Sequence, residues 1–174
     1  GLKGHAVDLY EASGKIGGKL EMCIPRERLP KKILDKELSR FAEIGVNVQV
    51  KSPVDKKKFE KIYKDHDVVV VAVGAQEGRV IPFPGHEDVV KGIDYLKEIN
   101  FGKPRNVKGK KVVVIGAGNV GMDIACQAYD QGAASVIAVD VQKPAAFGKE
   151  IAPLLGGKME LIRLTPVAGK GVSL

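Results

Sequence analysis

Residues Val107–Asp140 read VKGKKVVVIGAGNVGMDIACQAYDQGAASVIAVD. An apolar strand, Val112 to Ile115, runs directly into Gly116, Gly118 and Gly121, with Asn119 and Val120 filling the wider gap. The glycines open a helix carrying Val120, Ile124, Ala125 and Ala128, and Lys110 and Lys111 solvate the start of the strand. A second strand, Ser135 to Val139, follows and ends in Asp140, nineteen residues after Gly121. A bare glycine triplet marks any tight strand-to-helix turn. The strand before it, the helix after it and the acid at the next strand end make it a dinucleotide loop. The expected fold class is therefore α/β, built from Rossmann-like dinucleotide-binding units.

Each position has a physical task. Gly116 permits the tight turn, Gly118 lets the backbone approach a pyrophosphate, and Gly121 lets helix and strand pack closely. Phosphates then sit on free helix N–H groups at the positive end of the dipole, worth up to about 2 kcal/mol. Asp140 is placed to accept hydrogen bonds from adenosine ribose hydroxyls, which favours NAD over NADP, because a 2′-phosphate would face a carboxylate. Unit like charges about 4 Å apart at an effective dielectric near 20 repel by about 4 kcal/mol. Capping of the next turn is the alternative role for Asp140, and Lys143 or Lys149 is positioned to offset the repulsion.

A partial copy of the same pattern opens the chain. GLKGHAVDLYEASGKIGG places a short buried strand, His5 to Tyr10, before Glu11 and a glycine turn at Gly17 and Gly18. This is how the second strand of a dinucleotide unit ends. The first strand and its glycine loop would lie before residue 1, so the chain is expected to be an internal piece of a longer protein. LPKKILDKELSRFAEIG spaces Leu34, Leu38 and Phe41 as one face of a helix between Pro30 and Gly45. VNVQV alternates as a half-buried strand, and Asp55 offers an N-cap to a lysine-rich helix with Phe59 and Ile62. DVVVVAVGA reads as a strand covered on both faces. EGRVIPFPGHED reads as a connection and GIDYLKEI as a short helix.

At 174 residues and 44% hydrophobic content the chain can form one good core or two small half-domains. Its 28 Lys and Arg against 21 Asp and Glu give +7, spread along the chain. With 5% aromatics and no Trp, there is no stacking platform for nucleic acid. Cys23 and Cys126 stand far apart with no CxxC pair, which argues against a metal site, a cluster or a redox disulfide. No apolar run approaches the roughly 18 residues of a membrane span, and a cytoplasmic protein is the expectation.

EASGKIGGKL, IPRERLPKKILDKEL, GVNVQV, VVVVAVGA, IPFPG and VVVIGAGNVGMD, in that order, resemble the small (beta) subunit of glutamate synthase. Related flavoproteins of the pyridine-nucleotide oxidoreductase superfamily share them, including the flavin part of dihydropyrimidine dehydrogenase and ferredoxin-linked transhydrogenase subunits. The resemblance covers nearly the whole chain. It implies a partial FAD-binding domain over residues 1–100, joined to an NAD(P)-binding domain over 101–174 that is incomplete at its end. It also implies that Glu11 binds the FAD ribose, that Gly17 and Gly18 line its backbone path, that Arg28 lies near the flavin site, and that Gly74 closes a strand reaching the flavin region. Val73 stands where such proteins often have threonine. A solvated Arg28 and a purely structural turn at Gly74 are the plainer readings.

The resemblance further implies hydride transfer from NAD(P)H to FAD, with electrons passed to the glutamate synthase large subunit or another electron-accepting subunit. Any iron–sulfur cluster would lie outside this chain. NADPH-using members tend to carry an arginine pair after the second strand, whereas Val141 and Gln142 follow Asp140 here, so NADH is favoured. PAAFGKE, with Lys149 and Glu150, is a candidate for the nicotinamide half, or a capped helix start. His5, His66 and His86 are scattered, His86 in a loop, and no catalytic acid, base or nucleophile is assigned. Two other functions fit the residues: a related flavoprotein with ferredoxin or a small molecule as acceptor, and a non-catalytic dinucleotide-sensing module.

Overall fold

The computed structural model describes residues 1–78, 82–140, 159–163, 165–167 and 171–173. The chain forms two compact units, Gly1–Glu77 and Gly78–Leu174.

In the first unit, β1 (Val7–Tyr10) pairs in parallel with β2 (Val46–Gln49), from Val7 opposite Val46 to Tyr10 opposite Gln49. Between them lie α1 (Gly18–Met22) and α2 (Lys31–Glu43). Pro30 precedes α2 at φ −55°, where its missing N–H costs nothing, and Gly45 follows at φ 75°. Leu34 is buried, as the spacing predicts, and Cys23 joins it, whereas Phe41 is 37% exposed at the helix end. After β2 comes α3 (Lys56–Asp65), whose Lys58 N–H donates to Asp55 Oδ1 at 2.8 Å, the expected cap.

The valine run departs from expectation. Val68, Val70, Val71 and Val73 form no strand, and they are 67–80% exposed. A buried central strand needs a ladder beside it and helices over both faces. Among the described residues of this unit, β1 and β2 pair with each other and no ladder takes up the run.

The second unit holds α4 (Gly92–Asn100), β3 (Lys111–Ile115), α5 (Asn119–Asp130), β4 (Ser135–Asp140) and β5 (Met159–Arg163). A hairpin of β6 (Thr165–Val167) and β7 (Gly171–Ser173) follows. The sheet runs β3-β4-β5, all parallel, and Ile115 stands opposite Val139. The core joins Val114, Val136 and Ala138 of the sheet to Met122, Ala125 and Ala128 of α5 and to Tyr95 of α4. Alanines at the helix face allow a close approach to the strands. Met122 and Val136 are 1% and 0% exposed, each worth about 1.5–3 kcal/mol of burial. α4 packs here through Tyr95 and Ile99, and the second compact unit begins at Gly78.

Candidate functional site

The glycine loop stands at the carboxyl end of β3, where an open parallel sheet receives its ligands. Gly116 turns the chain at φ 96° and its N–H donates to the Val139 carbonyl at 2.8 Å. Ala117 is fully buried, and its N–H donates to Asp140 Oδ2 at 2.7 Å. Gly118 is the N-cap of α5, extended at φ −71° and ψ −178°, and no side chain caps the helix. Met122 N–H donates to the Gly118 carbonyl at 2.9 Å, so the N–H groups of Asn119, Val120 and Gly121 are the orphan donors of the helix start. Asn119 and Val120 are exposed there.

The three glycines have separable tasks. A Cβ at Gly118 would meet nothing within 4 Å, so the space beside it is open to a ligand. A Cβ at Gly121 would lie 1.8 Å from the Gly116 carbonyl oxygen, a backbone atom that cannot step aside. The loop, its uncapped helix start and the half-buried carboxylate of Asp140 thus fit the adenosine diphosphate part of a nicotinamide dinucleotide. Sequence reasoning missed Ala117, because its contribution is a backbone N–H that no residue type announces. Lys143, Lys149, Glu150, Val141 and Gln142 lie outside the described residues.

Glu11 holds the corresponding place at the end of β1. Its N–H extends the ladder to the Gln49 carbonyl at 3.0 Å, and its Oε1 accepts Ser13 N–H at 2.7 Å. Gly17 and Gly18 lie on the same connection. A Cβ at Gly17, which sits at φ 118°, would press on Leu38 Cδ1 at 3.1 Å and Glu21 Cβ at 3.3 Å, so this glycine lets the turn lie against α2. Charges fix the turn further. Lys15 Nζ reaches Asp35 at 2.6 Å and the buried Glu21 at 3.2 Å, and Lys31 meets Asp35 at 2.6 Å. Hydrogen bonds from Lys15 and then Lys31 hold the Asp35 carboxyl down at about 2. Arg28 is exposed in the turn after α1, with its N–H on the Pro25 carbonyl, and Gly74 lies beyond the valine run. The turn fits the adenosine end of a second nucleotide.

Among the described residues no group of three or more His, Cys, Asp or Glu is placed to hold a metal, and no helix is long and apolar enough to cross a membrane. Neither Cys23 nor Cys126 forms a disulfide.

Residues 20–162 match the family described as pyridine nucleotide-disulphide oxidoreductase. The chain is 30% identical over 139 residues to the NADP(+)-dependent formate dehydrogenase subunit beta of Moorella thermoacetica, covering 77% of this chain and 20% of that protein. It is 35% identical over 150 residues to the glutamate synthase [NADPH] small chain of Mycobacterium tuberculosis, covering 76% and 30%. To the NAD-dependent dihydropyrimidine dehydrogenase subunit PreT of Escherichia coli O157:H7 it is 29% identical over 174 residues, covering 97% and 42%. The chain thus spans between a fifth and about two-fifths of the length of these relatives. Its fold matches a solved 2-naphthoyl-CoA reductase in complex with 2-naphthoyl-CoA at a TM-score of 0.66 and 21% identity, over 98% of this chain and 26% of the other. With the family's model matching most of the sequence, the chain belongs to the pyridine nucleotide-disulphide oxidoreductase family.

Proposed function

We propose that this chain belongs to a cytoplasmic flavin-dependent NAD(P)H oxidoreductase of the glutamate synthase small-subunit type, which passes electrons to a partner subunit. The second unit takes the nicotinamide dinucleotide at Gly116–Gly121. The first takes the adenosine end of FAD at Glu11, with Gly17 and Gly18 in the same turn and Arg28 and Gly74 as further contacts. When bound, the nicotinamide supplies a hydride and the flavin accepts it, so the protein contributes binding, orientation and electrostatics rather than an acid or base. In the second unit the orphan N–H groups of Asn119 to Gly121 receive the pyrophosphate, and Asp140 receives the ribose. In the first, the free oxygen lone pairs of the Glu11 carboxylate receive the ribose of the flavin nucleotide.

The observation that carries this reading is the helix start of α5, bare of any side-chain cap and tied to Asp140 through Ala117. NADH is the favoured donor. The relatives' names include both NAD-dependent and NADPH-dependent proteins; what supports NADH here is Asp140 at the end of the second strand, since a carboxylate there disfavours a 2′-phosphate. Calorimetric titration of NADH and of NADPH, separately, into the chain tests this. Tighter NADH binding supports both the loop and the role of Asp140, tighter NADPH binding overturns the cofactor preference, and absence of both overturns the site.

A further inference from the structure

Three lysines stand near the carboxyl end of the β1–β2 ladder, and two are engaged. Lys15 Nζ pairs with Asp35 and Glu21. Lys58 Nζ donates to Ser52 Oγ at 2.5 Å and lies 5.1 Å from the centroid of the Tyr10 ring. Lys51 differs in two ways. Its ammonium has no hydrogen-bond or ion-pair partner among the described residues. Its backbone sits at φ 52°, the one positive φ of a non-glycine residue among them.

That backbone is held from both sides. Lys51 N–H donates to the Ser13 carbonyl at 2.7 Å, and Ser52 N–H donates to the Glu11 carbonyl at 2.9 Å. These bonds fold the connection after β2 onto the connection after β1. The lysine stem then runs past Gly14, where a Cβ would lie 3.7 Å from Lys51 Cε. The ammonium is thereby carried beside the Glu11–Gly14 turn without pairing to the Glu11 carboxylate, which accepts Ser13 N–H. Glycine or asparagine would hold this turn with less strain, so what lysine adds is an unpaired cation. Its place, the carboxyl end of a parallel ladder, is where such folds bind ligands, and strain in a non-glycine residue persists where the surroundings over-determine it.

We infer that Lys51 is a nucleotide-binding residue whose ammonium meets the adenosine diphosphate end of a nucleotide, alongside the Glu11 carboxylate that takes the ribose hydroxyls. This rests on the reading of Glu11 as a ribose acceptor.

The test is calorimetric titration of ADP into the full chain, with each protein also carrying Gly118→Ala so that the loop of the second unit does not contribute. Against that background Lys51→Gly, Lys51→Arg and Glu11→Ala are compared, with the unliganded Tm of each. Lys51→Gly is expected to melt at or above the background temperature, because the strained φ is relieved, and to bind ADP about tenfold more weakly. Lys51→Arg keeps the charge and is expected within about threefold of the background. A residue serving the turn alone would move only Tm. Undiminished affinity in Lys51→Gly alongside weakened binding in Glu11→Ala overturns the role of Lys51 and leaves Glu11 standing. Undiminished affinity in both, or no ADP binding before either change, removes the Glu11 site and Lys51 with it. A lower Tm in Lys51→Gly makes the side chain a strut against Gly14 and overturns the argument from strain.

Discussion

The backbone N–H of Ala117, buried between two loop glycines, donates to Oδ2 of Asp140 at 2.7 Å. One carboxylate at the end of β4 thus anchors the glycine loop that follows β3. Charge and anchoring separate by mutation. Asp140→Asn keeps an acceptor oxygen and removes the charge, so it should shift the NADPH-to-NADH affinity ratio toward NADPH. Retaining a quarter of the roughly 4 kcal/mol like-charge repulsion predicts a change of about fivefold. Asp140→Ala also releases the Ala117 N–H and should weaken both nucleotides, which titration of the two variants would measure. An unchanged ratio in Asp140→Asn would dissociate the carboxylate from cofactor choice.

Gly118 and Gly121, three residues apart, should fail differently. Alanine at Gly121 sets a Cβ 1.8 Å from the Gly116 carbonyl oxygen, so helix and loop must separate, costing about 3 kcal/mol. Alanine at Gly118 meets nothing within 4 Å and keeps an ordinary φ of −71°. It should leave stability within about 1 kcal/mol of the parent yet reduce NADH affinity, since its Cβ occupies the pyrophosphate's approach. Urea unfolding and calorimetry on both variants check this, and equal stability losses would refute the division of labour.

Close packing of α4 on α5 rests on another glycine. A Cβ at Gly92 would lie 2.6 Å from Ile124 Cδ1, the movable tip of a side chain. Gly92→Ala is therefore expected to cost about 1 kcal/mol, and Ile124→Val, which deletes that methyl, should recover most of it. A double-mutant cycle by denaturant unfolding reads the coupling, and strict additivity would show that the helices do not meet as described.

How far the sequence discloses this architecture depends on the distance over which each signal acts. Gly116, Gly118, Gly121 and Asp140 are legible because strand, turn and helix follow one another locally, and each glycine answers a local steric demand. The Ala117–Asp140 bond is illegible, since it joins a backbone donor to an acceptor in another strand. Val68 to Val73 misled for a related reason: apolar composition signals a capacity for burial, whereas burial needs partners elsewhere in the chain. Met159–Arg163, MELIR, carries no continuous apolar run, so β5 was visible only through its pairing with β4. Tyr95 illustrates the same limit, because its place in a core with Met122 and Val136 is set by contacts between elements rather than by the local pattern of GIDYLKEI.

His66 links the end of α3 to β1, and its geometry dictates a protonation state. Nδ1 lies 2.8 Å from the Ile62 carbonyl and Nε2 lies 3.1 Å from Asp8 Oδ2. Both partners accept, so both nitrogens donate only as imidazolium. The Asp8 hydrogen bond first, and the Ile62 carbonyl second, hold His66 above its usual range, with Asp65 adding to the effect. The same bond, with Asn47 Nδ2 donating to Oδ1 at 2.5 Å, holds Asp8 below the usual carboxylate range. For a histidine raised on folding, the stabilisation is complete below the unfolded value near 6.5 and is lost as pH rises through the higher folded value. For an aspartate lowered on folding, it is present above about 3.8 and is lost as pH falls through the lower folded value. The link should accordingly hold between the unfolded carboxylate value near 3.8 and the unfolded imidazole value near 6.5, and weaken as pH rises through the raised folded value of His66. Thermal unfolding of the parent and of His66→Gln across pH 4 to 9 should show the difference between them shrinking toward the alkaline end, with the His66 ring-proton titration in NMR centred above 6.5. A ring titrating below that value would mean that His66 is neutral in the fold and that the link to Asp8 does not form.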